Sequence, residues 1–295
     1  MNKNLKIIGI GEIVWDCLPN EMKLGGAPLN FAYFAGQCGA EASMISAIGD
    51  DGLGRQTLDA VRAAGVDTTY VQVNSLPTSR VLVTVNAEGI PQYEIVENVA
   101  WDDIKYAENL NGLVSDASAV CWGSLAQRSS TTRSTIASIL ENVPESCLKV
   151  FDINIRQHYY DRTVVEDSLL KADILKLNED ELPLVAGLLE LNSELSDVAA
   201  VMSELIQKYS LDYVVYTCGA DFSEVYDSAG LVSHVNTPSV KVADTVGAGD
   251  SFTATFITLL LRGVSPAECH AKAVEVSAYV CTQAGAVNPL PEGLL

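Results

Sequence analysis

Three features of the chain predict an α/β fold: one mostly parallel central sheet with helices on both faces, and a small separate sheet beside it. From residue 102 onward, strand-like and helix-like runs alternate: helix 102–116, strand 119–124, helix 131–140, strand 148–154, helix 164–172, strand 174–178. Such alternation is what βα units produce. Earlier, 79–86 and 91–96 flank the turn Ala87-Glu88-Gly89 and read as a hairpin, out of step with the alternation and so outside the main sheet. Finally, Asp244-Thr245-Val246-Gly247-Ala248-Gly249-Asp250 runs straight into the apolar stretch 251–262, which puts Gly247-Ala248-Gly249 at the mouth of a buried helix.

Composition narrows the function. A chain of 295 residues, 48% hydrophobic, has the size and core of one large domain, here 1–295. Its net charge is 18 − 38 = −20. A surface that acidic repels phosphate backbones, so nucleic acid is excluded as a partner, whereas a local cradle and a metal ion can still hold a nucleotide. The seven cysteines, at 17, 38, 121, 147, 218, 269 and 281, are odd in number and scattered, and read as free thiols in a reducing compartment. The first apolar run is broken early by Gly9, Gly11 and Glu12, too soon for a signal peptide or a membrane span. The expectation is a cytoplasmic protein with no membrane partner.

Residues 5–14 read as the first buried strand, ending in Trp15-Asp16. The strand contains Gly9-x-Gly11, but Val14 stands where a dinucleotide fingerprint needs its third glycine, and no Gly-x-x-x-x-Gly-Lys-Ser/Thr loop occurs. Next comes Leu24-Gly25-Gly26-Ala27-Pro28-Leu29-Asn30, a glycine break with proline and asparagine on the first helical turn. Residues 48–54 shape the turn between a strand at Met44 and a helix at Gln56. In a parallel sheet, ligands bind beyond the carboxyl ends of the strands. The polar residues there are candidates: Asp16, Gly123-Ser124, Asp152, Asn154 and Arg156, Asn178 to Glu181, and Thr217 to Gly219. Strand alternation would set Asp152, Asn154 and Arg156 on one face, where a surface ion pair between Asp152 and Arg156 is an equal alternative. The histidines at 158, 234 and 270 lack metal-ligand spacing.

At 247–250 the pattern itself suggests chemistry. The first amides of a helix lack internal partners, and with the helix dipole they attract a phosphoryl group. Asp250 shares that turn. With a phosphate in the cradle, its carboxylate is free to take a proton from an attacking hydroxyl. A helix N-terminus with an acidic first turn accounts for the same residues without catalysis.

Asp-Thr-x-Gly-Ala-Gly-Asp-Ser-Phe at 244–252 resembles the C-terminal signature of the ribokinase-like (PfkB) carbohydrate kinases. Gly-Gly-Ala-x-x-Asn at 25–30 resembles their N-terminal signature, and the likeness covers essentially the whole chain. It implies a ribokinase-like three-layer α/β sandwich with a β-sheet lid formed by about 16–24 and 78–99. It implies ATP with Mg²⁺, and a small sugar as acceptor. Asp250 would be the base, and the amides of Gly247, Ala248 and Gly249 the anion hole. Asp16, Gly25, Gly26, Asn30, Arg156 and Asp250 would bind sugar; Asn154, Asn178, Thr217, Gly219 and Gly249 would bind nucleotide. Glu181 would act on Mg²⁺, mainly through water. Residues 279–288 resemble the segment that closes over adenine and, with Asp244, holds a monovalent cation in many members; Pro289 stands where ribokinases offer a hydroxyl, so K⁺ stays open. A lid with a free apolar face invites a second copy, so a homodimer is expected.

Gly11-Glu12-x-x-x-Asp16, Leu24-Gly-Gly-Ala-Pro-x-Asn-Phe-Ala, the run 97–102 and the run 123–128 look like bacterial fructokinases, which makes fructose the expected acceptor. Kinases of ribose, 2-keto-3-deoxygluconate or a nucleoside are the alternatives, as is a non-catalytic sugar-binding regulator. Three departures stand out: Ser79-Arg80 where those enzymes have Thr-Gly, Cys218 after Thr217, and Phe222 for a small residue.

Overall fold

The computed structural model describes residues 4–17, 21–85 and 91–295. The chain opens with β1 (Lys6–Ile10), β2 (Val14–Cys17), β3 (Met22–Gly25), α1 (Ala27–Gln37), β4 (Glu41–Gly49), α2 (Gly52–Ala63) and β5 (Val71–Asn74). The hairpin β6 (Arg80–Val85) and β7 (Pro91–Ile95) follows, then α3 (Leu110–Ser115), β8 (Ala119–Trp122), α4 (Ser130–Asn142), β9 (Leu148–Asp152) and α5 (Arg162–Leu169). The last third holds β10 (Ile174–Asn178), α6 (Glu181–Leu189), α7 (Val198–Tyr209), β11 (Tyr213–Cys218), β12 (Phe222–Asp227), β13 (Gly230–Asn236), α8 (Ala248–Leu261) and α9 (Pro266–Cys281).

The expected α/β architecture is present. Nine strands form one sheet in the order β13-β12-β11-β10-β9-β8-β1-β4-β5. From β5 through to β11 neighbouring strands run parallel, and only β12 and β13 are antiparallel. Each face carries its own core. Ile8 and Ile10 of β1 point into one, with Trp101, Trp122 and Phe151. Ile7 points into the other, with Phe31 and Phe34 of α1 and Phe252 and Phe256 of α8. A strand buried on both faces between helices gives the three layers of a ribokinase-like sandwich. The strand order reverses between β1 and β8, which opens a crevice at their carboxyl ends.

A second sheet, β3-β2-β6-β7, stands apart. The first strand is therefore shorter than expected. It stops at Ile10, Gly11 takes φ 141°, and Val14–Cys17 belongs to the small sheet, so Asp16 sits on that sheet and not at the end of β1. The hairpin turn 87–89 and residues 18–20 of the expected lid lie outside the described residues. The expected helix 102–116 is instead a 3₁₀ turn at Ala100–Asp103 and the short α3. Asp102 turns back to accept the Val99 amide at 3.1 Å, and Thr132 Oγ1 accepts that of Ile104 at 3.1 Å, which closes the turn and diverts the chain. β9 ends at Asp152 and Asn154 takes φ 41°, so Asp152, Asn154 and Arg156 do not share one strand face.

Where α1 crosses β1 the backbones nearly touch. A Cβ on Gly9 would lie 2.1 Å from the carbonyl oxygen of Pro28. Gly9→Ala must push α1 off the sheet, and should lower unfolding free energy by roughly 1–3 kcal/mol. Urea unfolding measures this, and an unchanged midpoint would show that α1 does not depend on the close approach.

Candidate active site

The mouth of α8 lies beside that crevice. Gly247 is its N-cap, in the left-handed region at φ 82°, and a Cβ there would meet Ala286 at 3.0 Å. Only glycine makes that turn without strain. The amides of Ala248, Gly249 and Asp250 then start the helix with no side-chain cap. α1 packs along α8, and its Asn30 donates from Nδ2 to Asp250 Oδ2 at 2.8 Å. Asn30 is buried, and its Oδ1 has no partner. A cavity of about 10 Å³, near the size of a single water, lies between Asp250, Asp152, Trp122, Gly123 and Pro28. The much larger concavity of about 1040 Å³ is at the opposite, amino end of β1 and β4. Its Lys6 and Arg62 are already paired with Asp116, Asp59 and Thr68.

Beneath the first turn of α8 stands a residue missed from the sequence. Lys176 of β10 is in register with Asp152 of β9 and its Nζ lies 3.2 Å from Asp152 Oδ1; both are buried. Thr253 of α8 donates to the other oxygen of Asp152 at 3.0 Å. Lys176 Nζ would lie 2.9 Å from a Cβ on Gly249, so the ammonium touches the floor of the cradle. A lysine alone in the apolar run Ile174-Leu175-Lys176-Leu177 was the available signal, because buried lysines occur almost only with a partner. The expected alternative pairing of Asp152 with Arg156 gives way to this one.

Electrostatics around Asp250 follow from burial. Desolvation, then the Asp152 carboxylate, push its pKa up to about 6, while the Asn30 hydrogen bond, Lys176 and Arg156 hold it down. Glu12, 2% exposed, is pushed by burial up to about 7 against its backbone hydrogen bonds and Arg156, and its Oε2 has no partner. Burial also raises Asp16, which lies near enough to Arg156 and Lys23 to be stabilised by both. A Cβ on Gly25 would lie 3.7 Å from Asp16 Oδ2, and Gly26 caps α1. Asp16, Gly25, Gly26, Asn30, Arg156 and Asp250 thus converge on one side of the cradle.

The other side is a strip across the ends of β9, β10 and β11. Asn178 is in register with Thr217, the Glu179 amide donates to the Thr217 carbonyl at 3.0 Å, and Gly219 abuts Glu179. Asn178 Oδ1 accepts the amides of Asp180 and Glu181 at 2.9 Å, capping the turn into α6. Glu181 is buried and accepts the amides of Ile155 and Asn178 at 2.9 Å, so its carboxylate ties two loops together. Burial raises its pKa and Lys176 lowers it. Asn154 is on the loop after β9, its carbonyl held by Ser124 Oγ at 3.4 Å. Asp244 accepts the amides of Val246 and Gly285 at 3.1 and 3.0 Å. Among the described residues no three His, Cys, Asp or Glu side chains converge as a metal site.

Arg80 faces away from this site. In the small sheet Trp15 pairs with Arg80 and Asp16 with Val81, so Arg80 shares the Trp15 face, opposite Asp16. Trp15 Nε1 donates to Thr57 of α2 at 2.8 Å, and Arg80 lies close enough to Asp51 to stabilise its carboxylate.

The family model for pfkB family carbohydrate kinases matches residues 10–293. A fructokinase of Klebsiella pneumoniae is 28% identical over 98% of this chain and 97% of its own. An ATP-dependent 6-phosphofructokinase of Thermoanaerobacterium thermosaccharolyticum is 24% identical over 99% and 92%. A Vibrio cholerae fructokinase double mutant, solved with fructose, ADP and a potassium ion, superposes with a TM-score of 0.79 over 98% of this chain and 96% of that one, at 20% identity.

Glu12 gives a prediction for stability. Its native pKa, about 7, lies above the ordinary 4.5, so the native state holds the proton more tightly. Stability is then intact below pH 4.5 and declines as pH rises toward 7, by roughly 3 kcal/mol at most. Glu12→Gln should remove that decline, gaining on the parent between pH 5 and pH 8 in urea unfolding. Parallel pH profiles for the two proteins would refute a buried, proton-binding Glu12.

Proposed function

The chain belongs to the pfkB family of carbohydrate kinases, and from that membership and this site we propose that it transfers the γ-phosphoryl group of ATP to a hydroxyl of a small sugar, fructose first. The observation that carries the mechanism is Asp250: half-buried, oriented by Asn30, and in the first turn of a helix that opens on Gly247 with no side-chain cap. MgATP is the second substrate. The acceptor hydroxyl lies against Asp250, which takes its proton as the oxygen attacks the γ-phosphorus. The amides of Gly247, Ala248 and Gly249, with Lys176 below them, stabilise the charge on the transferring group. Asp16, Asn30 and Arg156 hold the sugar hydroxyls, and Gly25 and Gly26 let the sugar approach the backbone. Asn154, Asn178, Thr217 and Gly219 border the nucleotide. Glu181, engaged with two amides, acts on Mg²⁺ through water.

The preference for fructose rests on the fructokinase-like runs and relatives, and the orientation of Arg80 removes one objection to it, since that departure lies on the face opposite Asp16. The small sheet serves as the lid. Its outer face exposes Met22 and Leu82 beside Cys17, and we assign that face to a second copy in a homodimer. The seven free cysteines support a cytoplasmic setting. No helix among the described residues is long and apolar enough to cross a membrane. The family resemblance makes Asp244 the residue expected beside a monovalent cation, and the Vibrio cholerae structure holds a potassium ion.

ADP release from MgATP with fructose, ribose, 2-keto-3-deoxygluconate, adenosine and fructose 6-phosphate tests the reading. Turnover with fructose above the rest is expected, and a clear preference for another acceptor would overturn the substrate while leaving the chemistry. Asp250→Asn should keep sugar binding by calorimetry and cut kcat by about 10³-fold. A parent protein as inactive as this variant would favour the sugar-binding regulator. Because Asp250 must be ionised and its pKa is about 6, kcat/KM should rise with pH through that value. Lys176→Met removes a charge that holds this pKa down, so its rising limb should move to higher pH; an unmoved limb would detach Lys176 from the base.

A further inference from the structure

The cation position at Asp244 is already served by a charge of this chain. Asp244 spends one oxygen on the Val246 amide and the other, Oδ2, on the Gly285 amide. The ammonium of Lys23 lies 3.6 Å from that same Oδ2. Lys23 comes from β3, in register with Asp16 and on the face of the small sheet that looks into the crevice. Its stem lies along the loop after α9, where a Cβ on Gly285 would meet Lys23 Cδ at 3.4 Å. The next residue, Ala286, is the one that packs against Gly247 of the anion cradle. A single side chain thus runs from the lid, across the loop that supports the cradle, to the carboxylate beside it. Both ends of the ion pair are about three-quarters covered, at 28% and 23% exposure. Glu21 also reaches Lys23 Nζ at 3.3 Å, but is 56% exposed and more strongly screened by solvent.

A potassium ion at Oδ2 would share one carboxylate oxygen with an ammonium, and two like charges at that separation repel. The residues present therefore do not fit a cation site open at that oxygen. We propose that Lys23 is itself the monovalent cation of this site: it neutralises Asp244 beside the cradle, and phosphoryl transfer by this chain needs no added K⁺. The chemistry is that of an alkali or ammonium ion supplied in cis. The proposal rests on the kinase reading for its effect on turnover, but not for its effect on ion binding.

The test compares the parent with Lys23→Met, which keeps the length of the stem, in tetramethylammonium buffer with KCl added stepwise. The parent should change by less than about twofold in kcat/KM for MgATP, while Lys23→Met should lose about tenfold without K⁺ and regain most of it with K⁺ or NH₄⁺. Thermal shift in the presence of ADP gives a readout without turnover: K⁺ should raise the Tm of Lys23→Met and leave that of the parent unchanged. A parent strongly activated or thermally stabilised by K⁺ overturns the proposal, and that arm needs no variant to fold. A Lys23→Met protein indifferent to K⁺ in both assays overturns it too. If the parent turns over no sugar, the kinase reading fails while the thermal arm still decides the role of Lys23.

Discussion

Asp152 and Lys176 meet across adjacent strands directly under the first turn of α8, and much of the site depends on that pair. Three buried carboxylates, those of Asp152, Glu12 and Glu181, and the half-buried Asp250 crowd around the buried Lys176. Without Lys176, Asp152 would be left as a charge in a dry environment, which proteins rarely tolerate. With it, Asp152 holds Thr253, and thereby the axis of α8, at a fixed height above the sheet. The cradle amides are carried by that helix. Its height therefore sets where a phosphate would sit relative to Asp250.

The same crowding raises the pKa of Asp250. A lone surface aspartate is too weak a base to remove much of a hydroxyl proton. Burial and the Asp152 charge strengthen it, while Asn30 and Lys176 keep it ionised near neutral pH. Those influences come from four separate elements: α1, β9, β10 and α8 itself. The raised pKa of Asp250 is a product of the assembled fold, and no local segment could produce it alone.

This explains what the amino-acid order disclosed and what it concealed. The Gly247 to Asp250 turn was legible because its information is local: glycine at a left-handed position, free amides, an acid one step on. The alternation of β8 to β10 with α4 and α5 was legible for the same reason. Lys176 was not, because its meaning lies in its register with Asp152, twenty-four residues away by number and one strand away in space. Glu12 stood inside a recognisable run, yet only its burial reveals a carboxylate with an unpaired oxygen. The break at Gly11, which sends Asp16 to the small sheet, was concealed because Ile13 and Val14 carry the apolar character past it. The break in the expected helix 102–116 was set by Thr132, which accepts the Ile104 amide, a tertiary partner that no local propensity anticipates.

A chain of net charge −20 that is to hold a nucleotide must confine its attraction to a small volume. Charges beyond about 8–10 Å are screened at physiological ionic strength, so the distant acidic surface matters little to a phosphate in the crevice. What matters there is near: the dipole and amides of α8, Lys176 beneath them, Arg156 beside them, and Lys23 of β3. Only 18 residues of the chain are lysine or arginine, and these three are gathered at one crevice. Their opposing acids, Asp152, Asp16 and Asp244, are close enough to hold each cation in place. An anion arriving at the cradle therefore meets positive groups already oriented by the protein, and little reorganisation remains to be done at the moment of transfer. The acidic exterior and the anion-binding interior are compatible because water and salt separate them.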